Sequence, residues 1–497
     1  MPKEGVPLRQ RAAYQARVRY SLLFSWSVVV AVPYPPSLVQ AASPITSSGL
    51  NTQVTLSPTP PAGKTQYDIT GGTRPGGGPN LFHSFGNFNV PNNNIANFLN
   101  SGSIDPAEPN AILPSGLPTS DILGRINGGN PSSIFGMIQT NGPGGFPTAN
   151  LFLMNPNGFL FGPNATISVG GMVTFTTADY PRHTDNTQFN AVAGPADALL
   201  TAAPIAAFGF LGNNPASIAI TGSQLTAAEG TGISLVGGNI TIQSGTLSAP
   251  SGQTNLVSVG PPLNPTVGAE VVLSGSGQSA TLTPTGFGSL GQIGLTNNST
   301  LRTSGNPSGT VFIRGGQLTM VDALIVSNTL GSVNGPATSV DIGIDGTVAI
   351  SGNFGLFSTT EGSGNAGAIS LQVGKLTLTG GAINASSIAP GTGNGGNVTV
   401  TATDSVTISG SGIITQTNGS GNAGSIDVQA PRVLLTGGGT ISASAPTPTT
   451  GNGGNVTVTA TDSVTISGQT TSGFSSGITT SASGSGMPGP SLSLRLL

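Results

Sequence analysis

The chain alternates. From residue 305 onward, apolar residues recur at every second position in short bursts, as in Val398-Thr399-Val400 and Val406-Thr407-Ile408. Such alternation puts one side of a strand in a core and the other in solvent. The bursts themselves recur. Val311, Val340, Ile369, Val398, Ile426 and Val456 follow one another at steps of 29, 29, 29, 28 and 30 residues. A second series, Leu318, Val348, Leu376, Val406, Val433 and Val464, runs beside the first. A third is sparser: Ile325, Ile383, Ile413 and Ile441. GNGGNVTVTATDSVTISG occurs at 393–410 and again at 451–468, so the longer unit contains two similar halves. Strands at a fixed period of about 29 residues predict a solenoid, and three strands per period predict a three-sided coil.

Ahead of the repeats the pattern is less regular but still reads as strands. Thr65–Gly71 is a short candidate, and 71–80 is a Gly/Pro loop. Leu81, Phe85, Phe88 and Val90 are spaced as core positions, with His83 and Asn87 between them. Residues 101–120, rich in Pro and Ser, predict a surface loop. Ile122, Ile126, Ile134 and Ile138 predict inward positions. Then Leu151–Met154 and Phe159–Phe161, two apolar runs too short for helices, flank the turn Asn155-Pro156-Asn157-Gly158. Asn at the first turn position can bond its own backbone, and Pro at the second pre-sets φ. Asn at the third tolerates the bridge region, and Gly closes the turn.

Composition narrows the class. Only 6% of residues are charged, while 36% are hydrophobic and 77 of the 497 are glycine. Disordered chains are rich in charge and poor in apolar residues, so this bias points instead to a large all-β protein. There is no cysteine, so packing alone must stabilise the fold. Lys3, Arg9, Arg11, Arg17 and Arg19 precede an apolar run of about a dozen residues, too short for a permanent membrane span. With the small residues Val39 and Ala41 after it, this predicts an export signal over residues 1–41 and no stable membrane insertion once it is cleaved. What remains carries nine basic and 16 acidic residues, a net charge of −7, which excludes a basic surface for nucleic acid.

Three separated blocks carry a family resemblance: NLFHSFGNFNV at 80–90, DILGRINGGNPSSIFG at 121–136 and NLFLMNPNGFLFGPNATISVGG at 150–171. Their order and wording resemble the N-terminal two-partner secretion domain of the filamentous haemagglutinin family. The likeness covers roughly residues 44–185. Residues 207–260 look like the extension of its cyanobacterial-type branch. The resemblance implies an all-β fold: a right-handed parallel β-helix with an N-terminal cap and extra-helical hairpins. It also implies recognition of the N-terminal domain by an outer-membrane β-barrel transporter, then folding outside the cell. The implied destination is the medium or the cell surface, reached through the periplasm. The implied role is that of an adhesin or surface-displayed filament, with glycans or proteins as targets. Asn155, Pro156, Asn157 and Gly158 match the family's NPNG secretion motif. Asn80, Leu81, Phe82 and His83 are weaker recognition candidates. The expected organisation is a signal peptide (1–41), a β-helical secretion domain (42–300), a repeat solenoid (305–480) and an irregular tail (481–497).

Candidate chemistry is sparse. β-Helices also serve as polysaccharide lyases and hydrolases, so a carbohydrate-active enzyme is the alternative reading. It needs paired carboxylates with a basic partner on one outer face. Asp341 and Asp345 share a strand side by parity and point outward, but no basic residue is near them in sequence, so both read as solvated. Asp404 and Asp462 occupy equivalent repeat positions and read as turn residues. His83 and His183 are the only histidines and suggest no metal site. Glycine runs lack a following GK[ST], and no calcium-binding nonapeptide occurs. The expectation is therefore no catalytic residue, no cofactor and no metal. A third reading, a toxin carrier, would need a distinct C-terminal domain that the sequence does not display.

Overall fold

The computed structural model describes residues 45–275, 281–446, 449–482 and 491–496. The export signal expected at 1–41 lies outside the described residues. Apart from two short 3-10 turns, at Pro75–Gly77 and Pro195–Leu199, the described elements are strands. Most of them stack in parallel as three faces of a β-helix, as the alternation predicts.

The first face runs from Asn80–Phe85 through Asp121–Ile126, Asn150–Met154, Val173–Thr176, Gly232–Gly237 and Gln253–Ser258 to Thr310–Gly315. It continues as the first halves of the long strands Thr338–Ser351, Ala368–Thr379, Val398–Ser409, Ile426–Thr436 and Val456–Ile466. The second face begins at Ser132–Ile134 and Phe159–Phe161 and becomes the second halves of those long strands. The third face is a five-stranded sheet followed by a nine-stranded one.

The registers match the apolar columns residue for residue. Val311, Val340, Ile369, Val398, Ile426 and Val456 are successive partners on the first face. Leu318, Val348, Leu376, Val406, Val433 and Val464 are partners on the second. The sparse third column is complete: Leu356 stands between Ile325 and Ile383, and Ile478 follows Ile441. The double repeat has a structural cause. The first inward residues of faces one and two lie seven positions apart at Val311–Leu318, Ile369–Leu376 and Ile426–Val433. They lie eight apart at Val340–Val348, Val398–Val406 and Val456–Val464. Tight and wide corners alternate, so the sequence repeats every second coil.

One apolar core runs without a break from Ile45 to Ala460. The boundary expected near residue 300 therefore marks no gap in the core; it marks a change of cover. Upstream, the first face lies under a four-stranded antiparallel sheet: Tyr180–His183, Ile205–Phe210, Ala269–Ser274 and Thr281–Thr285. Its strands are inserted between faces one and two of two coils. A second apolar cluster, including Phe82, Phe152, Phe189, Phe208, Val257 and Phe312, fills the space between sheet and helix. Downstream, the first face is bare and polar. At the N-terminal end, Thr52–Leu56 runs antiparallel to Thr65–Gly71, and Ser47–Gly49 runs antiparallel to Asn80–Phe85. These reversed strands cap the coil stack.

Two expectations need correction. The tail is not irregular throughout: Leu492–Leu496 is a strand parallel to Val456–Ala460. Its alternation sets Leu492, Leu494 and Leu496 against Val456, Val458 and Ala460, extending the inward column. The stretch 101–120 is exposed as expected but holds a small hairpin, Ile104–Asp105 with Glu108–Ile112.

Candidate functional site

The NPNG turn sits at the corner between faces one and two, where Asn150–Met154 ends and Phe159–Phe161 begins. Its closing bond is Gly158 N–H to Asn155 O, 3.0 Å. Asn155 is fully buried. Its side-chain oxygen accepts from the Asn157 N–H at 3.0 Å and from the Asn157 amide at 3.2 Å. Its own amide donates to Asn130 O and Ser132 Oγ, both at 3.0 Å. Asn155 thus pins the corner to the coil beneath, while its N–H donates to Thr176 O of the coil above. Gly158 has φ of 106°, and a Cβ there would lie 2.7 Å from Ser217 O. Both the backbone conformation and the close approach require glycine.

The other two residues face outward. Pro156 is half-buried and Asn157 exposed. They line a cleft of about 540 Å3 with Asn127, Asp179 and the segment Ala191–Ala193. Val192 on its rim is 78% exposed. Accessible chemistry at the motif is therefore confined to Pro156, Asn157 and their neighbours.

The NLFH candidates lie elsewhere on the first face and are buried. Asn80 donates to Thr201 O and Ala203 O, holding the segment that leads into the covering sheet. Leu81 belongs to the main core, and Phe82 packs outward beneath the covering sheet, edge-on to Phe189. His83 points inward, among Phe85 and Phe98, with only Thr52 Oγ1 within hydrogen-bond reach of Nδ1. Burial, with the Arg74 charge nearby, pushes its pKa down to about 3. A neutral core imidazole is not part of an accessible recognition surface in the folded chain.

Sequence reading missed the ion pair that holds the covering segment. Arg125 is 1% exposed, and its guanidinium makes a bidentate pair with Asp197 at 2.6 and 2.7 Å. It also donates to Ser84 Oγ and Asn190 O and stacks over Phe189. The signal available was an arginine flanked by core residues within the strand Asp121–Ile126.

The outward aspartates also differ from expectation. Asp341 is not simply solvated: Arg314, on the adjacent coil, pairs with it at 3.0 Å and stacks over Phe312. Asp345 is exposed, as expected. Asp404 and Asp462 are not in a free turn; they sit at wide corners inside long strands. Arg432, at the tight corner between them, pairs with Asp404 and lies 3.9 Å from Asp462. Among the described residues no group of three or more His, Asp or Glu side chains is placed to hold a metal ion. No helix among them is long and apolar enough to cross a membrane.

The family described as the TPS secretion domain matches residues 43–317. Among solved structures, the HMW1 secretion domain from Haemophilus influenzae superposes with a TM-score of 0.51 at 16% identity, covering 91% of this chain and 100% of that one. The filamentous hemagglutinin secretion domain aligns with a TM-score of 0.32 at 13% identity, covering 88% and 100%. No curated protein sequence matches the chain. The HMW1 likeness is one of fold: a β-helical secretion domain.

Proposed function

This chain belongs to the two-partner secretion (TPS) domain family, and from that premise we propose that an outer-membrane β-barrel transporter recognises its N-terminal region and passes the chain to the cell surface or medium. The exported rod then acts by display, as an adhesin. The observation that carries the recognition reading is the division of labour in the NPNG turn. Asn155 spends its hydrogen bonds on the fold, whereas Pro156 and Asn157 remain accessible over a cleft. The buried Asn80–His83 block contributes differently: its side chains are available to the transporter only before the first coils close.

The test is secretion. The chain is co-expressed with the two-partner transporter of its own genome, beside Asn155→Ala and Asn157→Ala. Export of the parent only with the transporter, and loss of export in Asn157→Ala, supports the reading; loss in Asn155→Ala alone points to the fold of the corner. A parent that stays periplasmic with the transporter present overturns it. Equal export of all three proteins reduces the turn to a structural corner.

A further inference from the structure

The covering sheet ends at Thr281–Thr285, and the bare first face begins beside it. Between them lies a groove of about 700 Å3. One wall is the hairpin segment Thr283–Leu290; the floor is Arg314, Gly343, Asp345, Gln372 and Thr401. Gly343 is the low point. A Cβ there would lie 2.9 Å from the Arg314 side chain, which leans across it.

We propose that this groove, with the row of side chains leading out of it, binds an extended, uncharged polysaccharide lying along the rod axis. The proposal deepens the display reading above, on which its biological setting rests.

The first argument is charge. Arg314 is the groove's cation, and its hydrogen bonds are committed to Ile313 O, Asp341 O and the Asp341 carboxylate. Its charge is already balanced by that carboxylate, 3.0 Å away. Asp345 is exposed and adds a negative charge, so anionic ligands are disfavoured. The second argument is chemical type. Thr283, Ser289, Gln372, Thr401 and Asp345 all offer exposed hydroxyl, amide or carboxylate groups. This is a set that exchanges hydrogen bonds with sugar hydroxyls, and the half-buried Phe287 adds apolar surface to the wall. A peptide is less well served. The floor has no deep apolar pocket for an anchoring side chain, and Pro284 removes one backbone donor from the edge strand that a peptide strand would join.

The third argument is periodicity. Register places Gly343, Gln372, Thr401, Gln429 and Thr459 in one outward column. Successive members are one coil apart, about 4.7–4.9 Å. That is close to the length of one pyranose unit in an extended chain. The column is uncharged and alternates amide with hydroxyl, so each sugar would meet a hydrogen-bonding group and every second sugar the same kind.

The test is calorimetric titration of the purified, folded chain with cellohexaose and chitohexaose. Cellobiose, the curved maltohexaose and a heparin hexasaccharide serve as contrasts. The expected result is binding of the extended neutral hexamers, weaker binding of the dimer, and none of heparin. Gln372→Ala, Thr401→Ala and Asp345→Asn should each weaken hexamer binding by about three- to tenfold, as loss of one hydrogen bond predicts. Thr377→Ala on the second face should leave it unchanged. Unchanged thermal unfolding of the variants separates binding from folding. No binding of either extended hexamer overturns the proposal, as does binding that ignores the groove substitutions. Preferential heparin binding abolished by Arg314→Gln overturns it in favour of an anion site. Running the same variants through the secretion assay keeps the two readings apart: export should be intact whether or not sugar binds.

Discussion

At the scale of single residues, the NPNG turn assigns stability and accessibility to different side chains. Asn155→Ala removes the amide that fixes the corner and strands the buried Ser132 hydroxyl and Asn130 carbonyl. It should cost about 1–3 kcal/mol, read as earlier proteolysis of residues 121–176. Asn157→Ala, at an exposed position, should leave that protection unchanged. If Asn157→Ala alone loses export, recognition and folding are separated. The turn chemistry was legible because it is local: Asn, Pro, Asn and Gly each act on their own backbone. The burial of His83 was legible too, since it shares parity with Leu81 and Phe85, and a lone histidine among aromatics usually belongs to a core. Its folded pKa, about 3, lies below the ordinary 6.5. As pH falls from 6.5 towards 3 the unfolded chain takes up the proton first, so the contribution of His83 to stability is full above that window and is lost across it. His83→Gln should therefore narrow the difference in urea midpoint between pH 7 and pH 4. An unchanged difference would place the acid sensitivity elsewhere. Arg125 was beyond the sequence because its partner, Asp197, is 72 residues away in a segment with no strand pattern. Asp197→Ala leaves a buried cation unpaired and should destabilise the covering segment by about 3–5 kcal/mol, seen as cleavage between residues 184 and 204 before the coils open.

At the scale of elements, the repeat motif GNGG is explained by what stacks on what. Asn334, Asn365, Asn394, Asn422 and Asn452 form a ladder in which each side-chain oxygen accepts the backbone N–H of the next, at 2.8–2.9 Å. The glycines on either side lie directly above their counterparts in the coil below. A Cβ at Gly393 would collide with Gly364 O, and one at Gly421 with Gly393 O. Buried hydroxyls close the remaining gap, as Thr360, Ser387 and Thr417 donate to the carbonyls of Gly364, Gly393 and Gly421. The apolar columns announced the strands because alternation and period survive in one dimension. The ladder's composition was visible, but its bonds were not. They join residues a full coil apart, as do the Arg314–Asp341 and Asp404–Arg432 pairs. Asn394→Ala should break a middle rung, which is exposed, and cost about 0.5–1.5 kcal/mol, whereas Asn452→Ala, at the last rung described, should cost less. Hydrogen exchange at the Asn422 N–H, which loses its acceptor in Asn394→Ala, reports the break directly.

At the scale of the whole molecule, a coil has no core of its own. Its inward side chains meet those of the coils above and below, and its strands pair only with theirs, so order must spread along the rod rather than form at once. The core is continuous from Ile45 to Ala460, so the first repeat coil stacks directly on the N-terminal region and could use it as a template. The reversed strands close its N-terminal end, and the covering sheet packs on its first face. Emergence from a transporter in N-to-C order would deliver each coil to a finished surface, and each added coil would oppose backsliding. Gly393→Val tests this coupling. The valine side chain cannot fit against Gly364 O, so stacking should fail at that coil and leave residues beyond about 398 open to protease, while residues 45–384 stay protected. If folding outside biases passage, this variant should reach the medium more slowly than the parent, although its transporter-recognised region is untouched. Equal secretion rates, with the downstream coils demonstrably unfolded, would show that the transporter moves the chain without help from the fold.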